Sequence, residues 1–140
     1  MEKTILQRFL SLFSRTTYTI TPESFKEQFD GVNLESFREV KVRNPMNEYS
    51  PLVYKANQLK KIVVVDENTH RIILDNSPKL ETRFTLKDGK RTTFYFDTIA
   101  LENGFLIGQK SRMIPIAGKV EFDRIQKIEI QNGGKQYKYY

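Results

Sequence analysis

From Lys79 to Asp97 the sequence alternates so regularly that little besides an antiparallel hairpin accommodates it. Leu80, Thr82, Phe84 and Leu86 alternate with Lys79, Glu81, Arg83, Thr85 and Lys87. Beyond Asp88-Gly89, Thr92, Phe94 and Phe96 alternate with Arg91, Thr93, Tyr95 and Asp97. A period of two sorts each set onto one face of a strand, whereas a helix needs 3.6. A two-residue Asp88-Gly89 loop would pair Phe84 with Thr93 and set the Phe94/Phe96 face against its partner's polar face. A three-residue loop, Asp88-Gly89-Lys90 with Gly89 left-handed, removes that conflict. It predicts Phe84 opposite Phe94 and Leu86 opposite Thr92, and on the outer face Arg83 opposite Tyr95 and Glu81 opposite Asp97.

Two further hairpins are expected. Residues 98–102 and 105–109 flank Asn103-Gly104, a strong two-residue turn signal, with Leu101 on the face of Leu106 and Ala100 on that of Ile107. Apolar residues on both faces imply a strand pair covered on both sides. Lys127–Gln131 and Lys135–Tyr140 flank Asn132-Gly133-Gly134, which would bring Ile128 and Ile130 onto the face of Tyr137 and Tyr139. Strands are also expected at 37–43, 59–65 and 70–74, with a loop at 44–51 marked by Pro45 and Pro51 and a tight turn at Asp123-Arg124. One helix is legible at 22–30. Thr21 is its N-cap, Pro22 its first residue and Gly31 its stop, with Phe25 and Phe29 sharing a buried face.

The fold expectation is therefore a mainly β (α+β) domain over residues 16–140. It would be an antiparallel, hairpin-rich barrel or two-sheet sandwich of about seven to nine strands, with one or two N-terminal helices. Residues 1–15 stand apart. Ile5, Leu6, Phe9, Leu10, Leu12 and Phe13 have helical spacing, but Gln7 and Arg8 interrupt a run already too short for a transmembrane span. A packed helix, a membrane-interface helix and an altered export signal all fit. Leu12-Phe13-Ser14-Arg15 has the outline of a lipoprotein cleavage site, except that Arg15 stands where the lipidated Cys belongs.

Function is less legible. The chain has no Cys and one His, which rules out disulfides, thiolate zinc sites, a cysteine nucleophile and a multi-histidine metal site within one chain. Its net charge is +6, with most of the excess after residue 70. Such a surface suits an acidic protein, an anionic surface or nucleic acid, although solubility alone is the simpler account. The candidate ligand or partner surface comprises Arg83, Lys90, Arg91, Tyr95, Lys135, Lys138 and Tyr140, as a basic sheet face with aromatics. Glu81 facing Asp97 is a weaker candidate for a cation or shared-proton site.

Other motifs dissolve on inspection. Gly104–Ser111 lacks phosphate-loop spacing. Asp66-Glu67-Asn68 lacks the Gly and closing Glu of a calcium loop. His70 has no serine in a nucleophile-elbow context. No cofactor, metal or catalytic set is expected.

Thr21-Pro22-Glu23-Ser24-Phe25 after a signal-like segment, Phe94–Thr98, Ser111-Arg112, Ile114-Pro115 and Lys127–Gln131 together resemble small lipoproteins of Bacteroidota that have no assigned activity. The resemblance spans most of residues 16–140 and implies association with the cell envelope, while transferring no site residues. The stretch from Ile114 to Ile130 is also similar, at the level of fold alone, to bacterial pleckstrin-homology-like sheets. The functional expectation is a non-enzymatic binding or structural domain at the bacterial envelope, working through its basic sheet face or an exposed edge. The alternative is a cytoplasmic nucleic-acid-binding module.

Overall fold

A computed structural model describes residues 16–112, 114–133 and 137–140; the readings of residues 1–15 lie outside them. The described residues form twelve strands: β1 (Thr17–Ile20), β2 (Arg38–Arg43), β3 (Leu52–Ala56), β4 (Lys61–Val65), β5 (Arg71–Asp75), β6 (Leu80–Leu86), β7 (Arg91–Tyr95), β8 (Ala100–Glu102), β9 (Phe105–Gln109), β10 (Ala117–Glu121), β11 (Ile125–Asn132) and β12 (Lys138–Tyr139). Helix α1 spans Pro22–Gln28, and short 3-10 turns occur at Leu34–Ser36, Phe96–Thr98 and Phe122–Arg124. The architecture is mainly β and wholly antiparallel, in three sheets ordered β5-β4-β1-β11-β6-β7, β10-β9-β8 and β12-β2-β3, with no closed barrel. The strand count exceeds seven to nine because β1, β3 and β10 are short or weakly apolar and become strands through their partners.

Helix α1 starts as its sequence dictates. Thr21 accepts a hydrogen bond from the Ser24 N–H (3.1 Å), and Gly31 leaves the helix at φ +81°. The helix lays Phe25 and Phe29 into the core, where their rings stack 4.2 Å apart. Phe84 meets Phe25 edge-on and Phe96 meets Phe29. From the same helix the Gln28 amide bonds both the N–H and the C=O of Val63 (2.8 and 2.9 Å), standing in for a strand neighbour on β4.

The β6–β7 hairpin has a three-residue loop and a left-handed glycine, but its register differs from expectation. The Leu86 N–H donates to Lys90 (2.8 Å) and the Gly89 N–H to Leu86 (2.9 Å), so the loop is Lys87-Asp88-Gly89. A type I turn closed by a left-handed residue needs that residue last, which fixes Gly89 (φ +88°) in third place. Phe84 therefore faces Thr92, and Phe94 faces Thr82. The shift is by two residues, so face assignments survive: Phe84 and Phe94 are both buried, with ring centroids 5.9 Å apart. The outer pairs change. Arg83 faces Thr93, Glu81 faces Tyr95, and Asp97 leaves the ladder altogether.

The Asn103-Gly104 hairpin forms as expected, Leu101 facing Leu106 and Ala100 facing Ile107. The third expected hairpin does not. Strand β11 is flanked by β1 and β6, leaving no side for residues 135–140. At Gly133 the chain passes Lys79, whose carbonyl takes the glycine N–H at 2.7 Å and would sit 2.8 Å from any Cβ there. Strand β12 belongs to the third sheet, where Lys138 pairs with Arg43.

A pair of facing glycines joins two sheets. Gly108 of β9 and Gly118 of β10 lie opposite each other and admit the Phe94 ring, and a Cβ at either would come within 2.5 Å of it.

Candidate functional site: a buried arginine–carboxylate joint and the cavity beside it

Asp97 sits in the 3-10 turn after β7, and asparagines hold that turn from behind. Asn57 donates its side-chain amide to Phe96 and Ile99 carbonyls (3.0 Å each) and its backbone N–H to the Asp97 carbonyl (2.7 Å). Asn76 braces Asn57 in turn at 2.8 Å. The carboxylate so presented meets Arg112, from the loop between β9 and β10. Both side chains are buried, 0% and 2% exposed.

Nη1 of Arg112 lies 2.9 Å from Oδ1 of Asp97. Neither of these atoms, nor Arg112 Nε, makes an aligned hydrogen bond among the described residues, so the contact is an ion pair rather than a bidentate fork. Nη2 donates to the Pro78 carbonyl at 2.6 Å. The other carboxylate oxygen, Oδ2, accepts the hydroxyls of Tyr54 and Tyr139, the latter at 2.7 Å. The guanidinium carbon lies 4.0 Å from the Tyr95 ring centroid, 4.9 Å from Tyr54 and 5.7 Å from Tyr137. Burial, then the Asp97 charge, pushes the Tyr54 and Tyr139 hydroxyls well above the usual tyrosine range. Burial, then Glu81, also raises Tyr95. Groups from all three sheets converge here, so the pair acts as a joint with both charges buried.

Beside the joint lies a cavity of about 620 Å³, lined by Leu34, Phe37, Leu52, Val53, Ile107 and Ile114, with Tyr54, Gln109 and Arg112 at its polar wall. Leu34, Val53 and Ile114 are largely exposed. The cavity runs along β3, which is an edge strand. Backbone direction follows from one bond: the Tyr140 N–H donates to Lys41 at 3.0 Å, so Lys41 faces β12. Its neighbours Val40 and Val42 consequently face β3, and their partners Tyr54 and Leu52 face back. Val53 and Lys55 thus turn their N–H and C=O groups outward, where no described strand pairs with them.

The seven surface residues expected from sequence do not form one patch. Arg83 is half-buried beside Glu129 and Thr93, and Lys90 and Arg91 are exposed at the β6–β7 turn. Tyr95 is covered by Arg112 instead of presenting a stacking face. Lys138 and Tyr140 belong to the third sheet, where Tyr140 lies between Lys41 and Arg43, 5.0 and 5.8 Å from its ring. Lys135 lies outside the described residues. Tyr137 is buried against Arg112, and Tyr139 spends its hydroxyl on Asp97. Glu81 and Asp97 do not face each other, since Asp97 turns inward to Arg112.

Asp66 Oδ1 accepts the Asn68 and His70 N–H groups, an ordinary side-chain-capped turn. Among the described residues no three His, Asp or Glu side chains gather as a metal-ligand set, and no helix is long and apolar enough to cross a membrane. In the sequence Ser111-Arg112 stood out only as part of the family resemblance. Nothing in the polar stretch Gln109–Arg112, which also holds Lys110, singles out Arg112 as a buried cation. No family model matches the chain, and neither a curated protein nor a solved structure shows significant similarity to it.

Proposed function

We propose that this chain is a non-enzymatic binding domain that takes an extended apolar segment of a partner protein along the edge of β3. The observation that carries the reading is the coincidence of an apolar cavity with unpaired, outward-facing backbone at Val53 and Lys55. Strand addition supplies affinity through main-chain hydrogen bonds and specificity through pockets for alternate side chains. A cavity of this size holds two or three such side chains. The net charge of +6 favours a partner with acidic flanks. A bacterial envelope location, which the resemblance implies, goes with this reading as an expectation. So does a sandwich-like packing of sheets, supported by Phe94 seated between Gly108 and Gly118.

Calorimetric titration with a capped six-residue peptide of alternating valine and threonine, glutamate at each end, tests the binding claim. Wild-type protein is expected to bind it. The Val53→Pro variant loses one outward N–H on an edge that tolerates proline, and is expected not to bind. Equal binding by both would overturn the reading.

The nucleic-acid alternative has one observation in its favour, the exposed Tyr140 flanked by Lys41, Arg43 and Lys138. Titration with single-stranded and duplex DNA across salt concentrations separates the two. Tight binding that weakens steeply with salt supports the alternative, and no binding at low salt removes it.

A further inference from the structure

We propose that a second copy of this chain pairs with the free edge of β5, forming a two-fold symmetric dimer in which the six-stranded sheet runs on into its partner. Among the described residues strand β5 is the outer strand of that sheet and pairs only with β4. Its backbone direction is fixed at both ends. The Asn76 N–H donates to Lys60 and the Asp66 N–H to His70, each at 2.9 Å. Counting inward through Leu74 opposite Ile62 and Ile72 opposite Val64, the even positions face β4. Arg71, Ile73 and Asp75 therefore present their N–H and C=O groups outward. Gln28 supports this count independently, because Val63, opposite Ile73, spends its own backbone groups on the helix side.

The strand is its own complement. In an antiparallel pair centred on Ile73, Arg71 falls opposite Asp75 of the partner subunit and Ile72 opposite Leu74 of the partner subunit. Ile73 meets Ile73 of the partner subunit on the axis. Arg71, Ile73 and Asp75 share the exposed face, with Ile73 63% exposed. Pairing would cover that isoleucine with its equal. It would also set Arg71, which has no ion pair among the described residues, beside a carboxylate that already holds Lys61. Opposite charges facing across a ladder stabilise it, and like charges oppose it.

Natural sheets guard such edges with charged side chains, proline, bulges or covering elements; β5 carries no lysine, proline or bulge, and its two charges, Arg71 and Asp75, are opposite in sign and so complement each other across the axis. At the opposite edge strand, β7, the second sheet packs over the face that carries Phe94, at Gly108 and Gly118. The edge at β10 presents Gly118, Lys119 and Glu121.

Sedimentation equilibrium of the full chain tests the proposal. The expected result is a reversible dimer at protein concentrations on the order of 0.1 mM, since an edge of this length buries less than a standard interface. Ile73→Lys places two ammonium groups on the axis, and Arg71→Asp faces two carboxylates. Each is expected to weaken association at least tenfold. The charge swap Arg71→Asp/Asp75→Arg restores complementarity and is expected to return the dimer, which a folding defect would not do. A monomer at every concentration, or a dimer indifferent to Ile73→Lys and Arg71→Asp, overturns the proposal. Because the chain has no cysteine, Ile73→Cys gives a second reading. Facing Cα atoms of a hydrogen-bonded antiparallel pair lie about 5.5 Å apart, within disulfide range. Mild oxidation should crosslink Ile73→Cys and leave Val53→Cys monomeric. Equal yields from the two variants contradict the placement.

Discussion

Arg112 Nη1 lies 2.9 Å from Asp97 Oδ1, with both side chains out of reach of water. Arg112 comes from a loop beyond β9 and Asp97 from the turn after β7. Tyr54 of β3 and Tyr139 of β12 complete the cluster. A charge pair so placed contributes little net stability against an apolar replacement, but removing one member leaves the other buried and unpaired.

Arg112→Met is accordingly expected to cost about 3–5 kcal/mol of stability in urea denaturation. Asp97→Asn should also destabilise, because the guanidinium keeps its burial and loses its counter-charge. The double variant is expected to lose much less than the two single losses added together. Additivity within about 0.5 kcal/mol would show that the two side chains are not coupled.

The raised Tyr54 and Tyr139 hydroxyls set an alkaline limit. Above pH 10 the unfolded chain releases these protons while the folded chain keeps them, so the unfolded state binds fewer protons and stability falls as pH rises. The stabilisation is fully present below pH 10. For Tyr54 the loss approaches about 1.4 kcal/mol per pH unit above it. It is smaller for Tyr139, whose 37% exposure lets solvent screen its environment. Tyrosinate absorbance should show these two groups ionising only as the protein unfolds. The Tyr54→Phe variant should have a shallower alkaline slope, and an unchanged slope would count against the cluster.

Two glycines should respond differently to alanine. Gly89 holds φ +88° with open space around it, so Gly89→Ala should cost about 1 kcal/mol from backbone strain alone. Gly108→Ala drives a methyl into the Phe94 ring, with its Cβ 2.5 Å from Cγ, and should cost about 1–3 kcal/mol. It should also broaden the amide signals around Phe94, whereas Gly89→Ala should perturb only the turn. The reverse ranking would mean that the second sheet does not dock on Phe94.

Local signals carried much of this fold, and long-range pairing decided the rest. Thr21, Pro22 and Gly31 specified α1 because capping chemistry is local. Alternation placed Phe84 and Phe94 on one face, yet the pairing shifted by two because turn geometry put Gly89 last in its loop. Asn132-Gly133-Gly134 read as a hairpin turn. It is not one, because β1 and β6 already occupy both sides of β11, and neither β1 nor β3 announces itself in sequence. Asp97 was read as an outer-face carboxylate opposite Glu81, and neither its burial nor its partner was legible. Strand alternation could propose Glu81 as a ladder neighbour, whereas Arg112 comes from a loop whose path no local pattern predicts. The cavity was invisible, since Leu34, Val53 and Ile114 come from three separate segments.

The most direct measurement of the proposed role is an amide-resolved NMR titration of the full chain with the capped valine–threonine peptide. The expected result is shifts confined to Leu52–Lys55 and Ile107–Arg112, with hydrogen exchange slowed at the outward amides of Val53 and Lys55. Shifts centred on Lys41, Arg43 and Tyr140 instead, or none at millimolar peptide, would contradict it.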